Sequence, residues 1–219
     1  MERKLHQIYF QFKVGEQLED IPVYARKVSA TKLFCEEYNI PYKMWNESMC
    51  DELINKYPEY KELYDTFRFK IQKVDFIKYL ILYDEGGIYV DCDVSPVDNL
   101  DELFKMNEFF VRWNDCKKQL PYNAVLGTKS KNPIYEEIMS HVFYSVEEKN
   151  RQDIYKKWVG RYVFQTTGHY CLQRVLKKHP EVKRLDILYI NNKGRKVIGE
   201  NPMFHDDNAS VWYQNGKVI

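Results

Sequence analysis

Apolar and polar residues along this chain repeat with two periods, one of strands and one of helices, and the two alternate. Leu5 to Phe10 is a short apolar run that reads as a buried strand. Pro22 then opens a helical stretch to about Asn39, with Val28, Leu33 and Phe34 spaced among charges. Pro41 to Trp45 reads as a second strand. Ser48 is placed to cap a helix running toward Tyr57, and Pro58 to start another. Arg68 to Glu85 is a strong helix stopped by Gly86 and Gly87, and Ile88 to Val94 is a strand ended by Ser95 and Pro96. Further strands are predicted at 108–113, 123–128 and 183–190, and helices at 133–149 and 168–178. The alternation through the first half predicts an α/β layered fold.

Composition narrows the function classes. The 219 residues fit one domain able to bury a real core. A formal net charge of +1 argues against a nucleic-acid binder that relies on overall charge. The 16% aromatic and 44% hydrophobic fractions belong to a folded chain. No apolar run approaches the roughly 18 residues of a membrane helix, and the longest, Ile77 to Tyr83, carries Lys78. The first residues lack the apolar stretch of a signal peptide. Cys35, Cys50, Cys92, Cys116 and Cys171 are scattered and form no CxxC pair, so the expectation is a reducing cytoplasm rather than a disulfide framework or structural zinc. No linker, repeat or low-complexity tract divides the chain.

The chemistry concentrates around Asp91 and Asp93. Two apart on a strand, they would leave the same face, with Val90, Cys92 and Val94 turned to the core. Two like charges side by side favour a cation, and oxygen-only ligands suit Mg²⁺ or Mn²⁺ with positions left for substrate phosphates. The bland reading is a solvated pair at a strand end. On the preceding helix, Ile71, Val74, Asp75, Lys78, Ile81 and Leu82 fall on one face, so Asp75 and Lys78 interrupt an apolar stripe. Such charges are paired, at a cleft or functional; the bland reading is an i, i+3 ion pair of Asp75 and Lys78 at the helix edge, which stands beside a functional reading and is compatible with it.

The string Val74-Asp-Phe-Ile-Lys-Tyr79, followed by Tyr83-Asp-Glu-Gly-Gly-Ile-Tyr-Val-Asp-Cys-Asp93, closely resembles the D-x-D sugar-binding region of bacterial and fungal glycosyltransferases. These include capsular-polysaccharide transferases, initiating mannosyltransferases and glucosylating clostridial toxins, which share roughly S-D-x-x-R-Y-x-x-L-x-x-x-G-G-x-Y-x-D-x-D. Leu5-His-Gln-Ile-Tyr-Phe10 is similar to the family's first strand, and Tyr42-Lys-Met-Trp-Asn-Glu47 to its second. Asn123-Ala124 and Thr167-Gly168 resemble later landmarks, and His205 to Trp212 resembles the closing H-x-x-x-x-S-W element. The resemblance runs from about residue 4 to 213.

It implies a single GT-A, Rossmann-like domain over 1–219, with a mostly parallel sheet, a nucleotide-binding half at about 1–100 and an acceptor-side half at about 101–219. The implied activity is retaining transfer of a sugar from a nucleotide-sugar, UDP-hexose favoured, to a glycan or lipid-linked acceptor in polysaccharide or capsule biosynthesis. Mn²⁺, or Mg²⁺, would assist. By the same resemblance Asp93 would ligate the metal, and Asp91 would contact ribose or metal-bound water. Asp75 would hold donor-sugar hydroxyls, Tyr89 would line the donor site, Tyr9 would stack on the base, and Trp45 would stand by the nucleoside. Asp207, Ser210 and His205 match the late metal side, Trp212 an aromatic closing over the leaving group, and Asn123 a position near the reacting carbon. Tyr9 and Trp45 read equally as core aromatics, and His205 as a surface histidine.

Three positions depart from the pattern. Lys78 replaces an Arg, keeping charge for phosphate or sugar but losing the planar fork. Val74 replaces a Ser, and Gln11 replaces a Gly, which leaves uridine and guanosine both open. No metal carboxylate is lost, so an active enzyme is expected. Competing readings are a GDP-mannose-dependent mannosyltransferase, a non-catalytic nucleotide-sugar-binding module, and a phosphatase resembling the haloacid dehalogenases with Asp91 as nucleophile. The expected location is the cytoplasm, with a peripheral encounter with the membrane's inner face through a lipid-linked acceptor.

Overall fold

β1 (Leu5–Ile8) is the strand around which the main sheet grows. β2 (Tyr42–Trp45) pairs with it in parallel on one side, and β3 (Gly87–Val90) in parallel on the other. The computed structural model describes residues 1–113, 120–150, 159–192, 195–198, 202–207, 213–214 and 217–218. Between β1 and β2 runs α1 (Pro22–Glu37). Between β2 and β3 come α2 (Glu47–Ile54), α3 (Pro58–Thr66) and α4 (Lys70–Glu85). The second half adds β4 (Val94–Pro96), α5 (Asp101–Phe104), β5 (Glu108–Trp113), β6 (Leu120–Thr128) and α6 (Pro133–Asn150). It continues through α7 (Val159–Thr166), α8 (His169–Leu176), β7 (Arg184–Leu185), β8 (Leu188–Asn192), β9 (Arg195–Ile198) and β10 (Phe204–Asp206).

The main sheet has the order β2-β1-β3-β6-β5-β7, antiparallel only where β6 meets its two neighbours. A smaller sheet follows the order β4-β10-β8-β9. Side chains on the two faces of the main sheet enter different cores. Ile8, Tyr89, Phe110 and Leu126 pack with α2, α3, α4, α6, α7 and α8. Leu5, Ile88, Val90, Phe109 and Val125 pack with the end of α1, α5 and the small sheet. This is the α/β layering that the alternating periods predict. Because β2 and β3 flank β1, the chain order reverses beside β1, and it is beyond the carboxyl ends of strands at such a reversal that open α/β sheets bind ligands.

Local chemistry explains most element ends. Pro22, Pro58 and Pro133 each stand first in a helix, where their missing N–H is not needed. α2 starts two residues earlier than expected: Asn46, not Ser48, is its cap, accepting the Met49 N–H at 2.9 Å. α4 begins at Lys70 and is buried around nearly its whole circumference, not along one stripe, because α2, α6, α7 and the sheet all press on it. The strand predicted at 123–128 extends back to Leu120, and that at 183–190 divides into β7 and β8. Among the described residues no helix is long and apolar enough to cross a membrane.

The largest departure concerns the acidic segment. β3 ends at Val90, the Val94 N–H closes a turn on the Asp91 carbonyl at 3.0 Å, and β4 leaves to pair with β10. Asp91 and Asp93 therefore stand on a turn and not on one face of a strand. Cys92, Val90 and Val94 are buried as expected.

Two features of this frame carry predictions. Gly86 and Gly87 have φ of +66° and +97°, and a Cβ on Gly87 would lie 2.7 Å from the Lys4 carbonyl. Gly87→Val is expected to cost at least about 1–3 kcal/mol. A thermal melt checks this, and an unchanged midpoint would refute the requirement for positive φ.

His6 is fully buried between the Trp45 N–H, which donates to its Nδ1 at 3.1 Å, and the Gly86 carbonyl at 2.9 Å from its Nε2. These partners fix the neutral tautomer with hydrogen on Nε2. Burial pushes its pKa down from 6.5 to about 4, and that of His169 likewise. The unfolded chain takes up the proton first as pH falls, so this stability is complete above 6.5 and is lost toward 4. Unfolding free energies from denaturant titrations at pH 7 and pH 5 should differ by about 2 kcal/mol through His6 alone. A His6→Gln variant should show a smaller difference.

Candidate functional site

The acidic turn follows the carboxyl end of β3, beside the reversal of chain order, and is held by residues of β1. The Gln7 side-chain amide donates to the Asp91 carbonyl at 3.1 Å and is itself engaged by the Tyr42 hydroxyl at 2.9 Å. The Cys92 thiol donates to the Ile8 carbonyl, and the Asp91 N–H donates to Ala124 on β6 at 2.8 Å. With its backbone fixed on both sides, the turn presents two half-buried carboxylates.

Beneath them lies a buried polar network. The Lys78 ammonium is 3.1 Å from Asp75 Oδ1 and 3.2 Å from Asp91 Oδ1, and donates to the Asn123 carbonyl at 3.3 Å. The Tyr89 hydroxyl donates to the same Asp91 oxygen at 2.6 Å. Asp75 also accepts from the Asn123 side-chain amide at 2.9 Å and, on Oδ2, from the Thr167 hydroxyl at 2.9 Å. The Tyr79 hydroxyl closes the group by donating to the Thr167 carbonyl at 2.7 Å. Burial disfavours the Lys78 ammonium, but Asp91 and Asp75 outweigh it and raise its pKa, so it stays charged. Burial raises the pKa of Asp75 against the pull of Lys78. The expected i, i+3 pair is thus present, in the core and not at a helix edge.

The late segment arrives beside the turn through strand pairing. β10 runs antiparallel to β4, with Asp206 opposite Val94 and His205 opposite Ser95, and the Asp207 N–H donates to the Asp93 carbonyl at 3.1 Å. Asp207 faces α1: its carboxylate is 2.5 Å from Arg26 and 3.6 Å from Lys27. Burial works to raise its pKa, yet the Arg26 hydrogen bond, Lys27 and His205 hold it low. Burial and Lys27 push His205 down, and its Nε2 is 3.5 Å from Asp207 Oδ1. Buried Asp206 accepts from the Tyr122 hydroxyl at 2.8 Å. Burial, Asp206, Asp93 and Asp91 together raise Tyr122 far above a normal phenol, so it stays a neutral donor.

The structure therefore gathers Asp75, Lys78, Tyr89, Asp91, Asp93, Asn123, His205 and Asp207 around one turn, with several roles different from those expected. Asp75 is 5% exposed with both oxygens engaged. Tyr89 is buried and orients Asp91 instead of lining a cleft. Trp45 is a core residue whose ring lies under the Lys43 ammonium. Tyr9 donates to the Glu16 carbonyl at 3.0 Å and meets Tyr24 edge-on. Asp207 already faces two cations of α1. Ser210 and Trp212 lie outside the described residues. Sequence reasoning missed Arg26, Lys27 and Tyr122, which have no recognisable spacing to the acidic pair, and gave Gln7 no role although it stands in the first-strand motif.

Among the described residues no group of three or more His, Cys, Asp and Glu is gathered as for a metal. Asp91 and Asp93 nonetheless fit the kind of cation that takes one or two carboxylates and leaves positions for phosphates, because their donors are hard oxygens at a partly exposed turn.

Thr167→Val should cost about 1.5–3 kcal/mol, because it leaves a buried carboxylate oxygen without its donor. Thr167→Ser should restore most of that in a denaturant titration, and equal stability of all three proteins would refute this role.

Residues 22–110 match the family described as glycosyltransferase sugar-binding region containing DXD motif. An uncharacterized glycosyltransferase, L373, of Acanthamoeba polyphaga mimivirus is 33% identical over 64% of this chain and 54% of its own length. Inositol phosphoceramide mannosyltransferase 2 of Schizosaccharomyces pombe is 28% identical over 75% of this chain and 41% of its own length. The chain thus spans about half or less of these relatives. Among solved structures, the PaToxG glycosyltransferase aligns with a TM-score of 0.49 at 15% identity, covering 81% of this chain and 68% of that one.

Proposed function

Because this chain carries the sugar-binding region of the DXD-containing glycosyltransferases, we propose that it transfers a sugar from a nucleotide-sugar donor to an acceptor hydroxyl, retaining the anomeric configuration. The observation that supports this most is the acidic turn itself. It stands where α/β sheets bind ligands, at the carboxyl ends of strands beside a reversal of chain order. Its backbone is fixed by β1 and β6, and its Asp91 carboxylate is steadied from the core.

Asp93 and Asp91 would hold a divalent cation, Mn²⁺ or Mg²⁺, which when bound supplies positive charge to the departing nucleoside diphosphate. Asn123, half-buried and fixed through Asp75, borders the turn on the β6 side and would face the donor sugar. The described site offers no separate carboxylate aimed as a nucleophile, so the proposed course is front-face displacement, with the acceptor oxygen entering on the side from which the diphosphate leaves. The mannosyltransferase relative favours mannose, hence GDP-mannose, over the UDP-hexose expected from sequence. Its acceptor, an inositol phosphoceramide by name, favours a lipid headgroup hydroxyl. Such an acceptor would bring the protein to a membrane surface peripherally, on the cytoplasmic side.

A thermal-shift titration with GDP and with UDP, each with Mn²⁺ or with EDTA, tests this. A nucleotide at 100 times its dissociation constant stabilises by roughly 2.7 kcal/mol, on the order of 5–10 °C here. The expected result is a Mn²⁺-dependent shift, larger with GDP, that Asp93→Asn abolishes while still melting cooperatively. No shift with either nucleotide in the folded protein would overturn the transferase reading, and a UDP-only shift would overturn the choice of donor.

A further inference from the structure

Lys78 is 1% exposed, and its ammonium has three N–H groups. Three acceptors surround it: Asp75 Oδ1 at 3.1 Å, Asp91 Oδ1 at 3.2 Å and the Asn123 carbonyl at 3.3 Å. The ring of Tyr89 lies below it, with its centroid 5.0 Å away. Every donor is used inside the protein, so the cation has nothing left for a sugar or a phosphate. Asp91 shows the complementary asymmetry. Lys78 and the Tyr89 hydroxyl both converge on Oδ1, whereas Oδ2 takes no hydrogen bond from any described residue, and the side chain is 31% exposed.

We infer that Lys78 is a positioning residue: with Tyr89 it anchors Asp91 by one oxygen and turns the other outward to the ligand, without touching the donor sugar itself. This rests on the transferase reading above. A lysine suits the task because a compact ammonium on a flexible stem reaches three acceptors in different directions, which a planar guanidinium does not. The same contact couples Asp75 and Thr167, at the junction of α7 and α8, to the acidic turn.

Free GDP separates positioning from sugar contact, because it carries no sugar. Calorimetric titration of Mn²⁺ in the presence of GDP, and separately of GDP-mannose, would be run on wild type, Asp75→Asn, the pair Asp75→Asn with Lys78→Met, and Tyr89→Phe. The paired variant removes one buried charge of each sign and so protects the fold. Asp75→Asn alone is the reference against which the paired variant is read, because both lack the same carboxylate. Adding Lys78→Met should weaken the affinity for Mn²⁺ by about 10–100-fold, by the same factor with GDP and with GDP-mannose. Tyr89→Phe, which leaves Lys78 in place, should weaken both in the same direction. An affinity for Mn²⁺ with GDP in the paired variant equal to that of Asp75→Asn, with a loss only for GDP-mannose, would overturn the inference and make Lys78 a sugar contact. Unchanged binding in Tyr89→Phe would overturn the anchoring of Asp91 even if the paired variant failed to fold. A wild-type protein that binds Mn²⁺ with neither GDP nor UDP would overturn the transferase reading, and the role assigned to Lys78 with it.

Discussion

A single buried ammonium holds the site to the core. Lys78 lies between a carboxylate of its own helix and one on the turn that follows β3, in surroundings where an unpartnered charge is strongly disfavoured. Neither Asp75 nor Asp91 can move away without leaving that cation short of a partner. Removing one member of such a group typically costs several kcal/mol, whereas apolar residues of the same volume would give equal or greater stability. The network is therefore a poor device for stability and a good one for fixing geometry. It ties α4, β3, β6 and the start of α8 to one arrangement.

That constraint explains why α4 is enclosed on nearly all sides. A helix with one apolar stripe would leave Asp75 and Lys78 at its border, where water screens them. Here α2, α6, α7 and the sheet surround it, and residues 74–82 are all buried. Gly86 and Gly87 then bring the chain straight into β3 at positive φ, so the helix and the acidic turn are rigidly spaced. A longer, looser connection would let the turn drift relative to Lys78.

Local chemistry was legible in the sequence. Prolines at helix starts, the paired glycines and the periods of 2 and 3.6 located most elements, and the D-x-x-K helix preceding D-x-D located the heart of the site. What could not be read depended on pairing across long stretches of chain. β4 leaves the direction of β3 because β10, far along the sequence, offers it a partner, and this turns an expected strand end into a turn. Asp207 is near Asp93 as its motif implies, yet it faces Arg26 and Lys27, whose position depends on how α1 packs on β4. Trp45 and Tyr89 carry the residue types of a ligand wall, but burial is set by the layers above them and not by their own identity. Spacing finds which residues share a neighbourhood. Packing decides which of them meet the solvent.

The division within Asp91 follows from that packing. Its Oδ1 belongs to the interior, where a short hydrogen bond from Tyr89 and the charge of Lys78 act with little screening, and its other oxygen belongs to the turn's partly exposed side. Two carboxylates, Asp75 and Asp91, then face one ammonium, so this trio keeps one negative charge in excess. Arg26 and Lys27 are engaged with Asp207 on the α1 side of the turn and make no contact with that trio among the described ion pairs. On the proposed reading, the remaining negative charge is what favours a divalent cation over a monovalent one at the turn. The buried lysine sets the direction of the acidic pair while leaving that excess in place, so rigidity and charge are supplied by different residues.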